Sequence, residues 1–166
     1  ELIYADDKYS YYGNSNHGHK ALKYITALEP LSLLDVGCGH NAFVQEIKKF
    51  GVEKAIGVDF ACKSADKIAD ILDLPFDNKE FDLITAWDVL EHLLPDQIDP
   101  ALLEMQRVSE RFAFTIAYEY ASTPPPKKFS NHNLHQTVKE PEWWKEQIGK
   151  YAEVTKQNEI WLGKWK

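Results

Sequence analysis

The chain has 166 residues, a formal net charge of -7 and 27% charged residues. This length suits one domain with a single core and leaves no room for a separate large substrate domain. The negative charge argues against nucleic acid as a partner, and no apolar run approaches the roughly 20 residues that span a bilayer. Two cysteines without metal spacing or a pairing framework, and no basic and apolar leader, predict a reduced, cytoplasmic setting.

The first third of the chain alternates between helical and strand patterns. Residues 1–16 are polar and tyrosine-rich, and we interpret them as an N-terminal arm. Apolar residues at helical spacing predict a helix over residues 17–28, which Pro30 ends. A buried strand over 32–36, a helix over 42–50 and a second strand over 54–59 follow.

A glycine turn joins the first strand to the following helix. Gly37 and Gly39 permit backbone angles and a close ligand approach that a side chain would prevent, as at nucleotide-binding turns. With Ala42 and a later Asp59 they satisfy the loose pattern of a dinucleotide site. Asp35, however, would repel a pyrophosphate and suits a ligand that carries an ammonium and a sulfonium. The electrostatics favour the sulfonium ligand, and the dinucleotide stays an alternative.

The chain between the second and fourth strands is unusually short. Only ten residues separate Asp59 from Asp70, so a third strand over 67–69 has almost no room for a crossover helix. The fourth strand, over 81–87, follows almost at once. We therefore predict reduced crossovers after strands two and three.

Residues 33–93 together resemble the class I S-adenosylmethionine-dependent methyltransferases, in particular the type 11 subgroup. The motif I pattern is matched by Asp35, Gly37 and Gly39, while Asn41, a residue that tolerates a left-handed backbone, replaces the last glycine. The segment from Asp70 through Leu-Pro-Phe to Leu-Glu-His is similar to the adenine-binding and fourth-strand region of that subgroup.

The remaining elements complete the pattern of that fold. A helix is predicted over 100–109, a fifth strand over 112–118, a helix over 140–150, and a terminal hairpin over 151–155 and 159–165. A proline-rich connection, taken as 122–140, is long enough to be an acceptor-side loop. The resemblance implies one Rossmann-like α/β domain over residues 1–166, a three-layer sandwich with a mostly parallel sheet and an antiparallel terminal strand.

The resemblance also implies which residues bind S-adenosylmethionine and its product S-adenosylhomocysteine. Gly37 and Gly39 would approach the methionine part, Asp35 would organise the turn and the ammonium, Asp59 would accept both ribose hydroxyls, and Asp70 would accept from the adenine amine. The full predicted set is Asp35, Gly37, Cys38, Gly39, Asp59, Phe60, Asp70, Ile71 and Trp87.

The acceptor side is predicted more loosely. His92 could be a general base on a hydroxyl or ammonium, because an unperturbed imidazole titrates near neutrality, or the Leu-Glu-His sequence could be structural. Substrate contacts are predicted for Tyr12, Asp88, His132 and His135. No metal ligand is predicted, although two histidines three apart near Asp88, Glu91 and His92 leave a carboxylate–imidazole metal site open.

Methyl transfer to an oxygen or nitrogen of a small molecule or sugar is the function these residues favour. A protein that binds the cofactor as a sensor or as the regulatory subunit of a methyltransferase is the main alternative, and the shortened crossovers keep it open. A nicotinamide oxidoreductase is disfavoured by Asp35. The sequence indicates no oligomeric state.

Overall fold

The computed structural model describes residues 17–121 and 133–166. The helices of this part are α1 (His17–Ala27), α2 (Ala42–Lys49), α3 (Ile98–Val108) and α4 (Pro141–Gly149), and the short 3₁₀ segments are Leu90–His92 and Pro95–Gln97. The strands are β1 (Ser32–Val36), β2 (Lys54–Asp59), β3 (Lys67–Ile68), β4 (Phe81–Trp87), β5 (Ser109–Thr115), β6 (Ala152–Gln157) and β7 (Ile160–Trp165). No helix within these ranges has the length and apolarity needed to cross a membrane.

The seven strands form one sheet in the order β3-β2-β1-β4-β5-β7-β6. Strands β1 to β5 pair in parallel, and β7 lies antiparallel to both β5 and β6. The strand order reverses between β1 and β4, because β2 and β3 lie on one side of this pair and β5 lies on the other. An open parallel sheet binds ligands at such a point, at the carboxyl ends of its strands. The predicted mostly parallel sheet with an antiparallel terminal strand is confirmed.

Two apolar layers cover the sheet, one on each face. The first contains α1 and α2 and is built on side chains such as Ile25, Phe43 and Leu83. The second contains α3 and α4 and includes Met105 and Trp144. All five residues of β1 are buried, because this central strand has a layer on both faces. The three-layer sandwich predicted from the sequence is therefore present.

The crossovers on both sides of β3 contain no α-helix in the described chain, as the short spacing predicts. Side chains of α3 hold the segment before β4 instead. Glu104 accepts a hydrogen bond from Leu74 N at 2.8 Å, and Arg107 donates to the carbonyls of Leu74 at 2.8 Å and Phe76 at 2.7 Å. Charge-assisted bonds to the backbone thus replace the packing that a helix would supply.

Strand β5 differs from its predicted bounds. It spans Ser109–Thr115 and follows α3 directly, whereas the sequence predicted a start at Phe112. Ser109 is fully buried: its hydroxyl donates to Met105 O at 2.7 Å and accepts from Trp165 Nε1 at 2.9 Å. A satisfied serine therefore begins the strand, although its polar character suggests a surface position.

Candidate functional site

The turn after β1 has the backbone conformation that its sequence predicts. Gly37 and Gly39 have φ angles of 69° and 52°. Asn41, which replaces the third glycine of the motif, has a φ of 64° and lies immediately before α2. Asparagine is among the few residues other than glycine that adopt this left-handed region readily. The turn therefore keeps the motif's conformation with one substitution.

Gly37 also lies against the chain that leaves β4. A Cβ atom at this position would lie 2.5 Å from Cγ2 of Val89, which is closer than side-chain atoms approach. The glycine thus serves two needs, a positive φ and a close approach between the turn and residue 89. This contact places the ends of β1 and β4 side by side.

Asp35 is buried beneath the turn and is 1% exposed. Its Oδ1 accepts a hydrogen bond of 2.6 Å from the hydroxyl of Thr85 on β4. Removal from water raises the pKa of Asp35 to about 7, and the neighbouring carboxylate of Asp59 acts in the same direction. A cationic ligand group beside Asp35 would favour its ionised form.

Asp59, at the end of β2, organises the turn from the other side. Its Oδ2 accepts from Gly39 N at 3.1 Å, and its Oδ1 accepts from Ala61 N and Cys62 N, both at 2.9 Å. A carboxylate has about four acceptor positions, so three backbone bonds leave one, on Oδ2. Asp59 can therefore accept a hydrogen bond from one ribose hydroxyl without further change. A second hydroxyl would have to replace one of the three backbone donors.

Cys38 and Phe60 flank this pair of carboxylates. Cys38 N donates to Val58 O at 3.0 Å, which ties the turn to β2. Burial raises the pKa of the Cys38 thiol well above its usual range, so the thiol stays protonated. Phe60 follows Asp59 and is 45% exposed. Phe60 lies at the carboxyl end of β2, the edge where an open parallel sheet binds ligands.

The predicted adenine contacts lie in a short turn after β3. Asp70 is exposed, and its Oδ1 accepts from Leu72 N at 3.0 Å. Ile71 is 8% exposed, and its side chain belongs to the core layer with α3 and α4. The side chain of Ile71 is thus mostly used for packing, and its backbone is the part left for a ligand.

Trp87, the last residue of β4, points into the layer of α1 and α2. Its indole meets the ring of Phe43 edge to face at 5.2 Å, and a Cβ on Gly18 would lie 3.0 Å from its Cδ1. The indole nitrogen is buried without a hydrogen-bond partner among the described residues. Trp87 thus positions α1 over the strand end, and its contact with the cofactor stays a prediction.

Asp88 lies directly beyond β4 in a strained conformation, with a φ of 55°. Thr115 of β5 holds it: the Thr115 hydroxyl donates to Asp88 Oδ1 at 2.9 Å, and Asp88 N donates to Thr115 O at 3.1 Å. The other oxygen, Oδ2, lies 2.5 Å from Nδ1 of His17 on α1. The hydrogen bond to Asp88 raises the pKa of His17. The sequence did not single out His17, because nothing local predicts a contact across such a distance in the chain.

Glu91 joins three segments of the chain from a fully buried position. Its backbone oxygen accepts from Gln136 N at 2.8 Å and Thr137 N at 3.0 Å, and its Oε1 accepts from Ala117 N at 3.1 Å. Oε2 is buried and has no hydrogen-bond partner among the described residues. Burial raises the pKa of Glu91 to about 8, with a further contribution from Asp88.

His92 and His135 meet beside Glu91, with their rings edge to face at 4.9 Å. Nδ1 of His92 donates to Leu134 O at 3.1 Å, and Nδ1 of His135 donates to Glu119 O at 2.5 Å. Burial lowers the pKa of His92 to about 4, so its imidazole is neutral at pH 7. The predicted contacts Tyr12 and His132 lie outside the described residues.

The fold and the turn together define a class I, Rossmann-like methyltransferase. A sequence profile for a methyltransferase domain family matches residues 15–106, which is more than half of the chain. The chain belongs to this family, whose cofactor is S-adenosylmethionine. No curated protein matches the chain.

Solved structures agree on the fold. A protein of Pyrococcus horikoshii is 16% identical with a TM-score of 0.67, and the match covers 93% of each chain. A SAM-dependent methyltransferase of Archaeoglobus fulgidus is 18% identical with a TM-score of 0.63, and the match covers 83% of this chain and 69% of that one. PigF, solved with SAH, is 14% identical with a TM-score of 0.62, and the match covers 87% of this chain and 53% of PigF.

Proposed function

We propose that the chain transfers the methyl group of S-adenosylmethionine to an oxygen or nitrogen of a small molecule or sugar. The observation that carries the proposal is the pair of carboxylates, Asp35 and Asp59, which flank a left-handed glycine turn at the carboxyl ends of β1 and β2. Buried carboxylates suit the ammonium and hydroxyl groups of this cofactor, whereas a pyrophosphate would be repelled. Membership of the methyltransferase family removes the support for a dinucleotide site.

The cofactor would be held along this edge, with Gly37, Cys38 and Gly39 facing its methionine part and Asp35 near the ammonium. Asp59 would accept a ribose hydroxyl, with Phe60 beside it, and Asp70 and Ile71 would lie toward the base. The bound cofactor supplies an activated methyl group, and the protein mainly aligns donor and acceptor. The positioning of the β4 end by Trp87, Val89 and Gly37 serves this alignment.

An acceptor hydroxyl or ammonium must lose a proton, and two imidazoles lie near the end of β4. His92 is the base that the sequence predicted, but its burial lowers its pKa to about 4 and makes it a weak base. His17 is half-buried, and its pairing with Asp88 raises its pKa. We therefore place His17, oriented by Asp88, as the stronger candidate to accept the proton, and His92 stays a prediction to be tested beside it.

Calorimetric titration with S-adenosylhomocysteine tests the cofactor site. The proposed site is supported if the unmodified chain binds S-adenosylhomocysteine and Asp59→Ala does not. Asp96→Asn, a substitution at an exposed acidic residue, is the control and should bind like the unmodified chain. NAD serves as the negative control ligand. Absence of S-adenosylhomocysteine binding, or preferential binding of NAD, contradicts the proposal.

Turnover distinguishes an enzyme from a cofactor-binding regulator, the alternative that the reduced crossovers keep open. Formation of S-adenosylhomocysteine is measured against a panel of hydroxyl and amine acceptors, including sugars. His17→Gln, His92→Gln and the control His19→Gln are compared, since His19 lies on the same helix and pairs with Glu46. The base is the histidine whose loss lowers kcat while S-adenosylhomocysteine affinity is kept. Binding without turnover on any acceptor favours the regulator.

A further inference from the structure

We infer that Glu91, His92 and His135 form a binding site for a divalent transition-metal ion of the Zn²⁺ type. Each of the three side chains offers one ligand atom, and these atoms all lie within 4.8 Å of one another. Two imidazoles with one carboxylate is a donor set that Zn²⁺ and related borderline ions prefer over Mg²⁺ or Ca²⁺. The sequence predicted no metal ligand but left a carboxylate–imidazole site in this region open, and the geometry of these three side chains favours such a site.

The hydrogen bonds of the two histidines fix which nitrogen would bind the metal. A backbone carbonyl only accepts, so Nδ1 of His92 and Nδ1 of His135 each carry the proton in their bonds to Leu134 O and Glu119 O. In these neutral tautomers the ring lone pair is on Nε2. Histidines that ligate metals commonly donate their other nitrogen to a backbone carbonyl or carboxylate in this way.

The carboxylate supplies an independent observation. Glu91 is fully buried, its Oε1 is bonded to Ala117 N, and its Oε2 has no hydrogen-bond partner among the described residues. A buried polar atom without a partner costs free energy whether the carboxyl is ionised or neutral. A cation held between Oε2 and the two imidazoles would satisfy this oxygen. All three ligands would then have the supporting hydrogen bond that metal ligands normally show.

The separations allow a metal after a modest contraction. A tetrahedral Zn²⁺ with bonds of about 2.1 Å needs ligand atoms about 3.4 Å apart. The longest separation, which is bounded by 4.8 Å, must therefore shorten by up to roughly 1.4 Å. His135, which is partly exposed, lies on a segment without regular secondary structure and is the ligand able to move.

The ion would connect the end of β4 to both flanks of residues 122–132. Glu91 and His92 lie in the 3₁₀ segment after β4, and His135 lies shortly before α4. His135 is also bonded to Glu119, beyond β5. A metal at this point would therefore stabilise the chain on the side where the acceptor is proposed to bind, independently of whether the cofactor is present.

The test is titration of the tag-free, chelator-treated chain with Co²⁺, whose visible absorption reports its coordination, followed by competition with Zn²⁺. We expect one Co²⁺ per chain, displaced by Zn²⁺ and not by excess Mg²⁺. Since loss of a group that only supports a ligand already costs about 10–100-fold, the loss of a ligand in His135→Gln should lower the affinity by at least about 10-fold. His19→Gln is the matched control and should bind like the unmodified chain. Glu91→Gln, which keeps an oxygen for Ala117 N, should also weaken binding.

Far-ultraviolet circular dichroism and S-adenosylhomocysteine titration show that each variant is folded. Absence of Co²⁺ binding by the unmodified chain, or equal affinity in His135→Gln and His19→Gln, overturns the metal site. Because the Co²⁺ signal requires no cofactor and the cofactor titration requires no metal, failure of this inference is distinguishable from failure of the methyltransferase proposal.

Discussion

Gly37→Ala should destabilise the chain through two separable effects. A left-handed backbone costs an L-residue about 1–2 kcal/mol, and φ at this position is 69°. The new methyl would also lie 2.5 Å from Cγ2 of Val89, and overpacking of this kind typically costs about 1–3 kcal/mol. The expected loss in the free energy of unfolding is therefore about 2–5 kcal/mol, a large part of a domain's usual stability.

Gly51→Ala separates the two effects. Gly51 has a φ of 95°, and a Cβ there would meet nothing within 4 Å, so only the backbone cost of about 1–2 kcal/mol is expected. Adding Val89→Ala to Gly37→Ala should restore the part of the free energy of unfolding that the clash with Val89 removes. The single variant Val89→Ala is measured as well, so that the effect of its own lost packing can be subtracted. Urea unfolding followed by tryptophan fluorescence gives each free energy, and titration with S-adenosylhomocysteine should be weakened only by the change at Gly37.

The reasoning about the turn would be refuted by two results. One is an equal cost for Gly37→Ala and Gly51→Ala, which would mean that the close approach to Val89 does not exist. The other is unchanged S-adenosylhomocysteine affinity in Gly37→Ala, which would place the cofactor elsewhere.

Two further predictions follow from buried or bridging charges. The pKa of Asp35 is raised to about 7 in the folded chain, whereas the unfolded chain releases this proton near pH 4. The free energy of unfolding should therefore fall as pH rises from about 4 to about 7. Urea unfolding at several pH values should show a smaller fall in Asp35→Asn, and an equal fall would contradict the assignment to Asp35. Arg107→Met removes the donors to Leu74 O and Phe76 O and should cost about 2 kcal/mol, clearly more than Arg111→Met; equal costs would contradict the bracing role of Arg107.

The central strands could be predicted from the sequence with accurate bounds. β1, β2 and β4 are short, mostly apolar segments that end at or beside an acidic residue, and buried parallel strands have this composition. The start of β5 could not be predicted, because α3 passes into β5 without a glycine or proline, and the partner that satisfies Ser109 is Trp165, from the far end of the chain.

The candidate site also has features that the sequence could predict and features that it could not. The glycine turn is a local motif, and its left-handed Asn41 could be anticipated from residue type alone. The contact of His17 with Asp88 and the bonds of Glu91 to Ala117 and Gln136 depend on tertiary packing, which no local pattern contains. Likewise, the unperturbed imidazole pKa used for His92 could not anticipate the burial that lowers it to about 4.

The absence of helices from the crossovers on both sides of β3, in the part of the chain that the structure describes, is compatible with the proposed cofactor site. The site and these crossovers depend on different parts of the sheet. The turn and its carboxylates are positioned by β1, β2 and β4, whose pairing is continuous. β3 contributes only two residue pairs to β2, and the following segment is fixed by Glu104 and Arg107. The shortened region therefore removes cover from the side predicted to meet the adenine, while the side where the methyl group is expected keeps its full support. A weakened adenine contact with an intact β4 end would appear as low cofactor affinity combined with normal turnover at saturation.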